Sequence, residues 1–144
     1  MLRVDAMESS YGTSQVLFGM SLEVNAGEVV TLMGRNGMGK TTTIRSIMGL
    51  MQPHGGAAYF EDQKISGRPS HEIAKLGIGL VPEGRQIFPN LTVRENLIAT
   101  AHNMAGNPDP WTLDKVLTRF PSLEARISGM GNELSGGEQQ MLAI

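Results

Sequence analysis

The sequence predicts an α/β fold in which antiparallel strands precede a strand–loop–helix core and a helical insertion. Alternating apolar and polar residues at 2–6 and 20–24 predict two half-buried, antiparallel strands. The nearly unbroken apolar run at 29–33 predicts a strand buried on both faces, as in a parallel sheet. A helix is predicted next, because four apolar residues follow at spacings of i, i+3, i+4 and i+7: Ile44, Ile47, Met48 and Met51.

Shorter elements are predicted between this helix and residue 90. A strand pair is expected around 57–60 and 64–65, with residues 61–63 as its turn. Ser70 is expected to cap a short helix that runs to Lys75 and is ended by Gly77. Residues 78–81 then predict a second buried strand.

The segment from 91 to 133 is predicted to be a helical insertion. Thr92 and Glu95 have the spacing of a capping box, which opens a helix carrying Leu97, Ile98 and Ala101. The prolines at 107–110 interrupt the helical pattern. Another apolar stripe follows and is stopped by Pro121: Leu113, Val116, Leu117 and Phe120. The chain thereby divides into a strand-containing core at 1–90, the insertion at 91–133 and a final segment at 134–144.

Composition excludes several classes of function. The 144 residues, 40 % of them hydrophobic, suit one domain, and a net charge of -2 favours no nucleic-acid partner. The absence of cysteine excludes disulfides, thiol catalysis and thiolate metal sites. No apolar run approaches the ~18 residues of a membrane span, and the N-terminus has no signal-peptide core. We therefore expect a cytoplasmic protein.

Residues 34–41, GRNGMGKT, fit the phosphate-loop pattern GxxxxGK(S/T). Glycines at 34, 37 and 39 let backbone N–H groups approach phosphate oxygens, Lys40 supplies a cation, and Thr41 supplies a hydroxyl for Mg²⁺. The alternative is a glycine-rich turn with a surface lysine, and a chance match has a probability of about one in a hundred. The predicted strand before the loop and helix after it favour phosphate binding.

A second motif, LSGGEQQ, occupies residues 134–140. Its simpler interpretation is a capping box, in which Ser135 caps a helix and Glu138 reaches back from the third position. The two interpretations are compatible, because a helix N-terminus with two glycines and a hydroxyl also favours an anion.

The two motifs together resemble those of the nucleotide-binding subunits of ATP-binding-cassette (ABC) transporters, over all 144 residues. The resemblance implies a P-loop NTPase core and ATP as the ligand. It implies that Tyr11 stacks on adenine and that the loop holds the subunit's own ATP through Gly34, Asn36, Gly37, Gly39, Lys40, Thr41 and Thr42. It also implies a head-to-tail dimer, in which the signature closes over the γ-phosphate of ATP bound by a second subunit, through Ser135, Gly136, Gly137 and Glu138.

Glu83 lies in VPEGR, which matches the segment joining the ATP-binding core to the helical insertion. Most of the family has glutamine at this position. A carboxylate can still bind Mg²⁺ or orient water, although it adds negative charge beside a triphosphate. We therefore take Thr41 and Glu83 as candidate Mg²⁺ ligands, and Lys40, Glu83 and Ser135 as candidate catalytic residues.

The amino-acid sequence in and around the motifs is similar to that of one importer branch, which takes up branched-chain amino acids and related amides or urea. The stretches that carry this resemblance are GRNGMGKTTT, VPEGRQIFPNLTVRENL and ELSGGEQQMLAI. It implies a homo- or heterodimer on the inner face of the plasma membrane. It also implies contact with transmembrane permease subunits through residues 84–92 and the helical insertion.

In the family, hydrolysis also needs a strand ending in Asp-Glu and a switch histidine after the signature. The sequence ends at Ile144 without counterparts, so we expect an incomplete domain that is inactive alone. His54, His71 and His102 precede the signature and are expected to be solvated. The alternatives are a non-hydrolysing nucleotide-binding fragment and a non-transport ABC ATPase; the lack of cysteine or a basic run between residues 84 and 133 favours transport.

Overall fold

A computed structural model describes residues 1–101, 103 and 107–144. These residues form two compact units, Met1–Ile78 and Gly79–Ile144. Each unit has its own hydrophobic core, and each is described by itself below. His102 lies outside the described residues. Within those residues, no helix is both long and apolar enough to span a bilayer.

The first unit contains a four-stranded antiparallel sheet. Its strands are β1 (Leu2–Tyr11), β2 (Ser14–Val24), β3 (Gly55–Phe60) and β4 (Gln63–Lys64), in the spatial order β2-β1-β3-β4. The predicted antiparallel pairing of the first two strands and the later short hairpin are therefore confirmed. Glu61 and Asp62 turn this hairpin with φ of 49° and 62°, which suits the right-handed twist of the flanking strands.

Two helices pack on this sheet and complete the core of the first unit. They are α1 (Lys40–Ile47) and α2 (Ser70–Lys75). Ile47 and Met48 are buried as the helical periodicity predicts, but Ile44 is 41 % exposed and lies off the buried face. The buried cluster joins apolar residues of both helices and the sheet: Val4, Met7, Leu17, Ile47, Ala58, Ile65 and Ile73.

The two predicted buried strands at 29–33 and 78–81 are wrong for this structure. Neither segment has strand pairing; Val29 is 93 % exposed and Met33 84 %, and Leu80 and Val81 are also exposed. An apolar run forms a strand only where neighbouring strands pair with its backbone groups. Among the described residues, the sheet contains only the four antiparallel strands, so neither run has such a neighbour.

The predicted cap of α2 is also wrong. Ser70 is the first helical residue, and the extended position before it is occupied by Pro69, which has no side-chain hydrogen bond to offer. A capping side chain must stand just outside the helix to reach the free N–H groups, so Ser70 is one residue too late. The predicted end of the helix is confirmed, since Lys75 is its last residue and Gly77 follows shortly after.

The second unit is helical. It contains α3 (Val93–Ala99), α4 (Leu113–Arg119), α5 (Pro121–Glu124), a 3₁₀ turn (Gly131–Glu133) and α6 (Gly136–Leu142). Its core is the cluster of Val93, Leu123, Leu134 and Leu142. The predicted capping box at Thr92 is confirmed, but α3 ends at Ala99, so Ala101 lies beyond the helix and Ile98 faces solvent.

Asn96 connects α3 to the segment that precedes it. Its side chain is buried, accepts a hydrogen bond from the backbone N–H of Phe88 at 2.8 Å, and donates to the carbonyl of Phe88 at 3.0 Å. A buried amide is stable only when its donors and acceptor are paired. This side chain therefore holds the segment around Phe88 in a defined position within the second unit.

Candidate nucleotide-binding site

The phosphate loop of the first unit curls around the ammonium group of Lys40. This group donates hydrogen bonds to the carbonyls of Gly34 at 2.7 Å and Arg35 at 2.9 Å. Lys40 is also the first residue of α1, whose first turn has no acidic residue and no capping side chain. A helix start without a capping side chain or an acidic residue, together with the nearby ammonium, favours an anion at the start of α1.

Gly39 sets the junction between the loop and α1. Its φ is 86°, in the left-handed region, and its carbonyl accepts the first helical hydrogen bond from the N–H of Thr43 at 2.8 Å. A Cβ at this position would lie 2.7 Å from Cδ2 of Leu17 and 3.3 Å from the carbonyl of Val16. Only glycine meets both the backbone requirement and the close approach to β2.

Tyr11 is the last residue of β1, the strand that is hydrogen-bonded to α1 through Ser9 and Ser46. Hydrogen bonding by the side chains of Thr42 and then Arg45, which donate to the tyrosine oxygen, lowers the pKa of Tyr11 below its usual value. Two residues earlier on β1, Ser9 makes a buried 2.8 Å hydrogen bond with Ser46. The structure therefore brings Tyr11 next to the helix that begins at the phosphate loop.

The other candidate residues of the first unit differ in exposure. Thr42 is buried, whereas four residues of the loop segment are exposed to solvent: Gly34, Asn36, Gly37 and Thr41. Sequence analysis did not identify Arg45 as part of this site. Its side chain contributes to the lowered pKa of Tyr11, and no local pattern indicates this because the two residues are far apart in the chain.

The signature segment of the second unit forms the predicted capping box. The hydroxyl of Ser135 accepts from the N–H of Glu138 at 3.3 Å, and the Glu138 carboxylate accepts from the N–H of Ser135 at 2.8 Å. The hydroxyl of Ser135, followed by its backbone N–H, lowers the pKa of Glu138. The box orients the exposed Gly137 and the partly buried Gly136 in the first turn of α6.

Arg85 lies against the first signature glycine. A Cβ on Gly136 would be 2.6 Å from Nη1 of Arg85 and 2.9 Å from its Cζ. Arg85 has a φ of 51°, unusual for a residue with a side chain. This contact places the segment that contains Glu83 beside the signature within the second unit. It was not predicted from the sequence, because Arg85 and Gly136 are about fifty residues apart.

The two candidate Mg²⁺ ligands lie in different units. Thr41 belongs to the first unit and Glu83 to the second. Both offer oxygen donors, which suit the hard cation Mg²⁺. Their joint use therefore stays a prediction.

Comparison with known proteins identifies the class of protein to which the chain belongs. A family model described as "ABC transporter" matches residues 17–144. The chain therefore belongs to the ABC transporter family. It is 42 % identical over its whole length to the high-affinity branched-chain amino acid transport ATP-binding protein BraG of Pseudomonas aeruginosa, and spans 62 % of that protein.

Other relatives carry different transport assignments. The chain is 35 % identical over its whole length to the probable branched-chain amino acid transport ATP-binding protein LivF of Archaeoglobus fulgidus, spanning 61 % of it. It is 33 % identical over 96 % of its length to the lipopolysaccharide export system ATP-binding protein LptB of Escherichia coli, spanning 58 % of it. The chain thus spans about three fifths of the curated relatives it matches.

Solved structures confirm the α/β fold of an ABC ATPase. A nucleotide-free ATP-binding cassette from an ABC transporter matches 99 % of the chain with a TM-score of 0.80 and 28 % identity, the match covering 62 % of that cassette. A bacterial ABC transporter cassette solved as a dimer matches the whole chain with a TM-score of 0.77 and 26 % identity, over 67 % of its length.

We predict that Gly39→Ala destabilises the first unit more than Gly37→Ala does. Both glycines have left-handed backbones, with φ of 86° and 83°, but only a Cβ at 39 meets other atoms within 4 Å. Backbone strain alone costs about 1–2 kcal/mol, and the contact with β2 adds to this at position 39. Urea unfolding followed by circular dichroism measures the free energy of unfolding of both variants. Equal losses of this free energy would show that the contact at Gly39 is easily relieved.

We predict that Glu138→Gln reduces the stability of the second unit at neutral pH but not in acid. The folded protein lowers the pKa of Glu138 from its usual 4.5, so its ionised form adds stability that is present above that value. The contribution is lost as the pH falls through the lower folded value, where wild type and variant converge. Melting temperatures between pH 7 and pH 2 test this, with Glu124→Gln on α5 as a control; a pH-independent gap would contradict it.

Proposed function

We propose that this chain is part of the ATP-binding subunit of an ABC importer. The observation that carries the proposal is the phosphate loop, with Lys40 enclosed by loop carbonyls at the uncapped start of α1. Family membership and the signature capping box support the same function. The complete protein is proposed to hydrolyse ATP and to couple hydrolysis to transport.

ATP binding is proposed to use the groups that the first unit brings together. Triphosphate oxygens accept hydrogen bonds from backbone N–H groups of the loop and of the first turn of α1. The ammonium of Lys40 exchanges its carbonyl partners at Gly34 and Arg35 for phosphate oxygens, because anionic acceptors make stronger hydrogen bonds than carbonyls. The adenine is proposed to stack on Tyr11.

Mg²⁺ is the metal that the donor groups fit. The hydroxyl of Thr41 and the carboxylate of Glu83 are each proposed as a Mg²⁺ ligand. When bound, it neutralises charge on the β- and γ-phosphates. Glu83 is also proposed to orient water. Lys40 is proposed to stabilise charge on the γ-phosphate of the subunit's own ATP, and Ser135 on the γ-phosphate of ATP bound by a second subunit.

The signature is proposed to meet ATP bound by a second subunit. Ser135, Gly136 and Gly137 present a hydroxyl and backbone N–H groups in the first turn of α6, and Glu138 maintains this arrangement through the capping box. A related cassette solved as a dimer supports a pair of subunits. The pair is proposed to close on ATP and to separate after hydrolysis.

Branched-chain amino acid uptake is the proposed transport process. It is supported by 42 % identity to BraG and 35 % to LivF, against 33 % to the lipopolysaccharide export protein LptB. We place the protein in the cytoplasm, peripheral on the inner face of the plasma membrane. Residues 84–92 and the helical insertion are proposed to contact the permease subunits.

We predict that Lys40→Ala weakens ATP binding at least about ten-fold, because a desolvated charge-assisted hydrogen bond contributes about 1.5–3 kcal/mol. Fluorescence titration of the chain with a fluorescent ATP analogue and Mg²⁺ measures the effect. Lys75→Ala, at the end of α2, is the matched control and is expected to bind as the wild type does. Unchanged binding by Lys40→Ala, or no binding by wild type, would contradict the proposal.

The permease contact is tested by photocrosslinking in bacterial membranes that contain a branched-chain amino acid permease. A photoreactive residue at Gln86 is expected to crosslink to a transmembrane subunit, whereas the same residue at Asp62, in the β3–β4 turn, is not. Equal labelling of membrane subunits from both positions, or none from Gln86, would contradict the contact surface while leaving ATP binding unaffected.

A further inference from the structure

We propose that Ser10 is a nucleophile that accepts acyl groups from activated acyl donors, with His54 as its general base and Glu8 as the group that orients the imidazole. All three residues belong to the first unit, and the proposed nucleotide site uses none of them. Oγ of Ser10 lies 2.9 Å from Nε2 of His54, within hydrogen-bond distance. Nδ1 of the same imidazole faces the Glu8 carboxylate, 3.7 Å from Oε2. A hydroxyl, a base and a third group that orients the base form the arrangement that activates serine nucleophiles.

The backbone fixes the three side chains relative to one another. Glu8 and Ser10 lie on either side of the buried Ser9 on β1, so their side chains point away from the core. The backbone N–H of His54 donates to the carbonyl of Glu8 at 2.9 Å, which attaches the residue before β3 to the same strand. The imidazole is thereby held between the two outward-facing side chains of β1.

Gly55 leaves free the space that the Glu8 carboxylate occupies. It is the first residue of β3 and pairs with Glu8 in the antiparallel ladder. A Cβ on Gly55 would be 2.9 Å from Oε2 of Glu8 and 3.1 Å from its Cδ. Because a side chain at this position would force the carboxylate to move, the glycine that follows His54 permits the carboxylate to face the imidazole.

The carboxylate determines which imidazole nitrogen accepts the proton of the serine. A carboxylate beside Nδ1 favours the tautomer that carries its proton on Nδ1, because the negative charge attracts that N–H. Nε2 then has a free lone pair and accepts the hydrogen bond from the Ser10 hydroxyl. In this tautomer the imidazole of His54 removes the hydroxyl proton as Oγ attacks.

The proposed step transfers an acyl group to Ser10. Oγ attacks the carbonyl carbon and forms a new C–O bond, while its proton passes to Nε2 of His54. The bond from the carbonyl carbon to the leaving group breaks, and the leaving group departs with the electron pair and takes up the proton from His54 or from water.

The exposure of the site limits the class of acyl donor. The side chains of His54 and Glu8 are 48 % and 45 % exposed, so water reaches the reacting groups. An enclosed site stabilises the tetrahedral intermediate with fixed hydrogen-bond donors, whereas an open site relies on water. Donors with a good leaving group need the least stabilisation of this intermediate. Aryl esters and thioesters are therefore the proposed substrate class.

The experiment mixes the 144-residue chain with p-nitrophenyl acetate in the absence of nucleotide, so its outcome does not depend on the proposed function. Release of p-nitrophenol is followed by absorbance, and peptide mass spectrometry identifies the acetylated residue. We expect a burst of p-nitrophenol and an acetyl group on Ser10. Ser10→Ala is expected to abolish the burst. His54→Gln is expected to slow acetylation of Ser10 at least about ten-fold, because it removes the general base.

Two matched controls separate this site from ordinary surface reactivity. Ser122→Ala removes an exposed serine of α5 whose hydroxyl contacts the sulfur of Met141, and His71→Gln removes an exposed histidine of α2. Both controls are expected to react at the wild-type rate. Glu8→Gln is expected to slow the burst less than His54→Gln does, since it leaves the base in place and removes only the charge that orients it.

The peptide masses of the wild-type chain decide the matter even if a variant fails to fold. Acetyl groups on lysine or histidine side chains with Ser10 unmodified would overturn the proposal, as would the same extent of acetylation at Ser10 and Ser122. An unchanged rate of Ser10 acetylation in His54→Gln would overturn the assignment of the base. Equal losses in His71→Gln and His54→Gln would do the same, since they would trace the reaction to surface histidines in general.

Discussion

The close approach of the phosphate loop to strand β2 at Gly39 is the constraint on which the candidate site depends. The absence of a side chain at this residue lets the backbone pass Leu17 and Val16 and turn directly into α1. The direction of α1 then determines where Lys40 enters the loop and where Ser46 meets Ser9 on β1. A single backbone position, Gly39, thus influences how the phosphate loop is placed relative to the end of β1, where Tyr11 lies.

The N-termini of α1 and α6 show two different electrostatic arrangements. The first turn of α1 has no acidic residue and no capping side chain, and a lysine stands at its first position. In α6, Ser135 and Glu138 satisfy two backbone N–H groups and leave a carboxylate in the first turn. The start of α1 therefore attracts an anion more strongly than the start of α6, where the capping box already satisfies two N–H groups.

Local chemistry explains which parts of the fold were predictable. The capping boxes at Thr92 and Ser135 depend on residues three apart, and both formed as predicted. The runs at 29–33 and 78–81 were predicted as strands but are unpaired, since strand formation depends on neighbours from elsewhere in the chain. The contact of Arg85 with Gly136 was unpredictable for the same reason.

Local sequence patterns were sufficient to identify the chemical groups of the candidate site and the turns that present them. Glycine spacing, Lys40 and the signature motif indicated phosphate chemistry, because each motif acts through backbone geometry within a few residues. Contacts between distant residues, such as Ser9 with Ser46 and Gly39 with β2, became visible only in the folded chain. Those contacts depend on how strands and helices pack, and packing is set by buried surfaces that no short stretch of sequence contains.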